Sequence, residues 1–177
     1  PVKELGINER DIYLAGSVLG TMGAKKTKQI QKKYMEKHPH HIPLLFMLDI
    51  INGYKTVYQI PLGQGAAFEP ELARKCASMA AREAAADGLH VAFSPMADLV
   101  RDARWGRVME ATGEDVYLNS VYARAMVEGY QGEDLSNKET LAACVKHFAG
   151  YGAAEAGRDY NTVELSERTL RDFYLPA

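Results

Sequence analysis

The run at 42–48 (IPLLFML) constrains the fold of this chain more than any other feature. It is apolar from end to end and stops at Asp49. A strand with one solvated face alternates apolar and polar residues. An unbroken run of this length belongs to a strand covered on both faces, as in a parallel sheet flanked by helices. The flanking sequence agrees. Residues 15–20 (AGSVLG) read as a short strand, and the basic segment near 25–37 reads as a surface helix. Pro70 opens another helix, because a first turn has no use for the amide hydrogen that proline lacks. That helix runs to about Asp87 and stops at Gly88. Residues 90–99 (HVAFSPMADL) read as a strand running into a loop, and 141–147 (LAACVKH) as a further buried strand. Between them, Thr112-Gly113-Glu114-Asp115 resembles a capping box. The helix it opens places Leu118, Val121, Tyr122, Ala125, Met126 and Gly129 on one face. Ser166 begins a final helix.

Strands alternating with helices imply parallel strands joined by crossover helices. An open doubly wound sheet and a (β/α)8 barrel both fit. A complete barrel has eight strands and roughly 250 residues. This chain has 177 residues and about four strands. The barrel reading therefore makes it an incomplete TIM-barrel-like α/β domain, about half to two-thirds of the barrel, with residues 1–177 as one unit.

Composition narrows the function. The chain is 47% hydrophobic and 25% charged with a net charge of −2, so it offers no basic field to nucleic acid or an anionic membrane. No apolar stretch approaches the roughly 20 residues that span a bilayer. There is no signal-peptide pattern after Pro1. Cys76 and Cys144 sit among apolar neighbours and read as buried free thiols, which favours the cytoplasm slightly over a secreted or periplasmic location. His38, His40 and His41 around Pro39 read as a polar loop, not a metal site. Gly63-Gln64-Gly65 lacks the third glycine and the lysine of phosphate-binding loops, and no G-x-S-x-G elbow is present. No metal or cofactor is expected.

The polar residues that stand out fall where parallel α/β folds gather their chemistry, at the C-terminal ends of strands. Asp49 follows 42–48, Asp98 and Asp102 follow 90–97, and Lys146 and His147 end 141–147. An unpaired buried charge is expensive, so Asp49 must face a pocket or pair with a cation. A salt bridge across the barrel mouth is the alternative to a ligand site. The segment 101–107 (RDARWGR) holds three arginines, an aspartate and the only tryptophan. Arginine offers a planar fork of donors for hydroxyls or carboxylates. Trp105 offers a platform on which a sugar ring can stack. The alternative is a loop braced by ion pairs, for example Arg104 or Arg107 with Glu110 or Glu114. Lys146 and His147 are adjacent, and successive strand residues point to opposite faces. Both can reach one pocket only if the backbone departs from the strand, which Gly150 and Gly152 make plausible.

Four ordered stretches resemble glycoside hydrolase family 3, in particular its bacterial β-glucosidase branch. They are IPLLFMLDIINGYKTVYQIPLG (42–63), FEPELARKCASMAAREAAADG (68–88), FSPMADLVRDARWGRVMEATGED (93–115) and VKHFAGYGAAEAGRDYNTVELSERTLRDFYLP (145–176). Composition and periodicity lead only to the α/β class; the sugar chemistry comes from this resemblance. It implies a barrel followed by an α/β sandwich domain, and retaining hydrolysis by two carboxylates. It implies that Asp49, Arg107, Lys146 and His147 bind the substrate sugar, with Asp102, Arg104, Trp105, Glu110 and Asp159 supporting them. In relatives the Lys–His peptide can be cis. The nucleophile, an aspartate in a Ser-Asp-Trp-like motif, and the acid/base, a glutamate of the second domain, are expected beyond Ala177. The Asp-x-His dyad of the N-acetylglucosaminidase branch is absent from GYGAAEAGRDYN, whereas Asp159 and Tyr160 fit the glucosidase run Gly-Arg-Asp-Tyr-Asn. Asn52 stands where the family usually has histidine, and Gln59 and Ala103 where it has proline.

The implied function is an exo-acting hydrolase releasing terminal β-D-glucose from small or oligosaccharide β-glucosides, this chain supplying the glycone-binding part. Alternatives are a β-xylosidase or glycoside phosphorylase of the same fold, or a non-catalytic sugar-binding fragment. Half a barrel leaves two strand edges open. The chain by itself is therefore expected to be inactive and to associate with the remainder of the same protein or with itself as a homo-oligomer.

Overall fold

In the computed structural model, residues 9–177 are described. A short helix α1 (Glu9–Ile12) precedes strand β1 (Ser17–Leu19), helix α2 (Ala24–Lys37) and strand β2 (Leu45–Leu48). Helices α3 (Pro61–Ala66) and α4 (Pro70–Ala86) lead to β3 (Val91–Ala92), α5 (Val116–Gln131) and β4 (Ala142–Ala143). Helix α6 (Glu167–Thr169) continues as a π-helical turn, Leu170–Tyr174. The four strands form one parallel sheet in the order β1-β2-β3-β4. This is the expected α/β class, a partial (β/α) barrel. No helix among the described residues is long and apolar enough to cross a membrane.

Register sorts the strand side chains into two rows. Val18 pairs with Phe46, and Leu48 with Ala92 and then Ala143. This row packs into the main core with α4 and α5. Leu19, Met47, Val91 and Ala142 form the opposite row, and there Leu19 is 62% exposed. Alanines line the buried face of α4 at positions 73, 77, 80, 81 and 84. Their small size lets α5 come close. Gly129 packs so tightly that an added Cβ would lie 2.3 Å from the Arg74 carbonyl oxygen. Tyr122 is fully buried, and its hydroxyl accepts from the Glu69 amide at 2.8 Å and donates to the Gln64 carbonyl at 2.6 Å. It thereby satisfies backbone groups where α3 ends and α4 begins, a duty that helix termini leave to outside partners.

Three expectations are corrected, and helix α3 was not anticipated. The strands at 90–99 and 141–147 are much shorter than their apolar runs. Regular pairing stops at Ala92 and Ala143, just before the cis Ser94–Pro95 bond, where proline has no N–H for a ladder. Irregular bonds continue the pairing: Cys144 N–H reaches the Ser94 carbonyl at 3.1 Å, and Ala97 N–H the Lys146 carbonyl at 2.7 Å. The cap of α5 is Asp115, whose carboxylate accepts from the Leu118 amide at 2.6 Å. Thr112 instead donates to Asn119 at 2.9 Å, so the Thr112–Asp115 run is not a capping box. Helix α3 interrupts a stretch whose two glycines disguised it. Finally, Cys76 and Cys144 are free but only half-buried.

Candidate functional site

The sheet delivers its polar residues to one end. Asp49 directly follows β2, Asp98 lies six residues past β3, and Lys146 and His147 lie just past β4. The Lys146–His147 peptide is cis. Lys146 Nζ lies 2.6 Å from Asp49 Oδ1, and His147 Nδ1 lies 2.7 Å from Asp98 Oδ2. The neighbours in sequence thus both reach the strand-end site, and Lys146 does not enter the helix layer. Asp49 has the cation partner that its position demands, yet its side chain remains 57% exposed while Lys146 is 12% exposed.

The backbone beneath Asp49 is held from the core. Ile50 is buried with φ +55°, a left-handed conformation that β-branched residues rarely adopt. Its carbonyl accepts a 2.6 Å hydrogen bond from Tyr130, whose phenol is pushed up to about 12 by burial. Asn52 also serves the local turn: its amide donates to the Tyr58 carbonyl at 3.3 Å.

Asp98 is the most buried carboxylate at this end, at 3% exposure. Oδ2 accepts the His147 backbone N–H at 3.0 Å as well as facing the ring. Burial pushes the Asp98 carboxyl above its ordinary range, and the two His147 groups oppose that rise. Oδ1 has no partner among the described residues. The adjoining Ala97 carbonyl accepts from Asn119 of α5 at 2.9 Å, which fixes this segment to the helix layer.

Arg107 meets Glu110 through two parallel bonds of 2.7 Å, a fork-to-fork pairing that raises the pKa of the guanidinium further. Its Nη1 lies 3.4 Å from His147 Nε2, and the guanidinium sits 5.5 Å from the Tyr151 ring centroid. Tyr151 also meets His147 edge-on at 4.7 Å. Its hydroxyl donates to Asp159 at 2.6 Å, and Trp105 Nε1 donates to the same oxygen at 2.9 Å. These two bonds hold the Asp159 carboxyl below its usual range, and burial with the Asp159 contact moves Tyr151 up to about 12.

Asp49, Arg107, Lys146 and His147 therefore come together; Glu110 holds Arg107 directly, and Asp159 holds Tyr151, which packs against Arg107 and His147. Trp105 is corrected. It is 2% exposed, packed among Met96, Val100 and Ala111, and presents no face to a sugar. Arg104 pairs with Asp102, at 2.6 Å, and not with Glu110 or Glu114. That contact holds Asp102 down to about 2 and braces the loop. Asp98 was noted as a strand-end carboxylate without a role in the site, and Tyr151 and Asn119 were not expected there. Asp98 carried the same strand-end signal as Asp49, whereas Tyr151 and Asn119 carried none. Among the described residues no group of three or more His, Cys, Asp or Glu is arranged to hold a metal.

Residues 11–177 match the family described as Glycosyl hydrolase family 3 N terminal domain. A periplasmic beta-glucosidase of Salmonella typhimurium is 39% identical over 161 residues, 91% of this chain and 21% of that protein. A beta-xylosidase of Formosa agariphila is 42% identical over 127 residues, 70% of this chain and 18% of that protein. Among solved structures, the beta-glucosidase of Listeria innocua in complex with glucose superposes with a TM-score of 0.96 at 54% identity, over 99% of this chain and 25% of that one. The chain thus spans about a quarter or less of the length of these relatives.

Proposed function

This chain belongs to glycosyl hydrolase family 3, and from that premise we propose that it forms the glycone-binding part of a retaining exo-β-glucosidase. The observation that carries the reading is the convergence of Asp49, Lys146, His147 and Arg107 at the strand ends. In this reading Lys146 occupies Asp49 Oδ1, and Oδ2 accepts a sugar hydroxyl in a charge-assisted bond. Lys146 has further N–H groups to donate to a neighbouring hydroxyl. Arg107, fixed by Glu110, and His147 complete the grip. Held in this way, the terminal sugar presents its anomeric carbon in a constant attitude, and orientation of that kind is a large part of such catalysis.

The nucleophile and the acid/base are proposed to lie outside residues 1–177, in further barrel and sandwich segments of one longer polypeptide. The family resemblance and the Listeria relative support glucose in the pocket; the Formosa relative supports xylose as the second reading. The relatives and the thiols diverge on compartment. The Salmonella protein is described as periplasmic, whereas two free thiols lean to the cytoplasm, and fractionation of source cells decides between them.

The test is covalent trapping of the full-length protein with a 2-deoxy-2-fluoro-β-glucoside, followed by peptide mapping. A label on an aspartate outside these residues is the expected result. A label on Asp49 or Asp98 would overturn the assignment of roles, and turnover of the xyloside in clear preference would select the second reading.

A further inference from the structure

We propose that Asp98 is a positioning residue that holds the His147 imidazole with its proton on Nδ1, so that Nε2 meets a sugar hydroxyl as a hydrogen-bond acceptor. The inference rests on the reading of this site as a glycone pocket. Its geometric part stands on contacts at both ring nitrogens.

At Nδ1 the partner is Asp98 Oδ2, 2.7 Å away. An ionised carboxylate only accepts, so Nδ1 carries the hydrogen. A protonated Oδ2 could instead donate to a bare Nδ1, but the neutral ring would then carry its hydrogen on Nε2, and the contact at that end opposes this. At Nε2 the neighbour is Arg107 Nη1, 3.4 Å away. A guanidinium has no lone pair to offer. A proton on Nε2 would set two donors against each other beside a permanent cation. Both ends of the ring therefore demand the same tautomer.

Asp98 also grips the residue twice, through the backbone N–H and through the ring, which fixes the ring's direction as well as its proton. Asn119 holds the preceding carbonyl, so the carboxylate is itself anchored. Arg107 is tied to Glu110 through Nε and Nη2, and its Nη1 contact with Nε2 is long. A hydroxyl can take the Nε2 lone pair without disturbing that fork. Buried Asp98 acts through His147 and does not touch substrate.

The experiment uses the full-length protein labelled with 15N-histidine. Long-range 1H–15N spectra, with the His147 signal assigned by its loss in His147→Gln, should show Nδ1 protonated and Nε2 bare at neutral pH. In Asp98→Asn the ring should shift toward the Nε2–H form. A wild-type ring protonated on Nε2, or on both nitrogens, overturns the proposal, and this reading stands whether or not the variant folds. Kinetics supply the second arm, with an aryl β-glucoside and its monodeoxy analogues. Asp98→Asn should lower kcat/KM about tenfold or more, the scale of one lost hydrogen bond to an oriented partner. One hydroxyl deletion that is costly in wild type should then cost little in Asp98→Asn. Unchanged kcat/KM, or an unchanged deletion penalty at every hydroxyl, overturns it. A protein without glycosidase activity but with the stated ring tautomer would reject the glycone reading and retain the Asp98–His147 assignment.

Discussion

At the scale of single residues, position at a strand end was informative and residue type alone was not. Asp49, Lys146 and His147 were legible because a charge that ends an apolar run has few places to go. Trp105 was misread because its sequence cannot say which way a loop turns its ring. Here it turns inward and spends its N–H on Asp159. The Ile50–Tyr130 contact was invisible for another reason: its partners lie 80 residues apart. It nevertheless bears on the site, since Ile50 is the residue after Asp49. Removing the phenol in Tyr130→Phe strands a buried carbonyl, and stability should fall by about 1–3 kcal/mol. Urea denaturation measures that loss. Sugar binding should weaken with it, while Tyr13→Phe, at another tyrosine far along the chain, should leave binding as it was.

At the scale of elements, the long helices were legible, the short ones and the strands only partly so. Pro70 and Gly88 bracketed α4, and the apolar face announced α5. The strands were overextended because an apolar run continues past the point where the ladder stops. The join between β2 and β3 has a chemistry that the pattern did not suggest. The Phe46 amide donates to His90 Nδ1 at 3.0 Å, and burial pushes the His90 pKa down. The bond requires Nδ1 to be bare, so acid opposes it. A histidine with a lowered folded pKa contributes stability that is complete above its unfolded value, about 6.5, and is lost as pH falls through the folded value. The urea midpoint of the wild type should therefore drop on acidification below that range. His90→Asn, which accepts through an uncharged oxygen, should flatten this part of the profile. An identical slope in both proteins would exclude His90 as the source.

At the scale of the whole molecule, the alternation of strand and helix was enough for the α/β class, the family resemblance chose the barrel over an open sheet, and the count of about four strands holds among the described residues. What it could not convey is how much surface stays open. β1 and β4 are edges, one row of strand side chains faces away from the helices, and Phe148 just past β4 is 97% exposed. Open edges with apolar neighbours invite pairing. Residues 1–177 alone should self-associate in sedimentation velocity at micromolar concentration; a single monomeric boundary across that range would contradict this. The strand order has a further consequence, for biosynthesis. Each described strand pairs with the one made just before it. As the chain leaves the ribosome, β2, β3 and β4 each meet an edge that already exists. Nearest-neighbour pairing keeps loop closures short, so the segment that carries Asp49 can be framed on both sides before the last quarter of these residues has emerged.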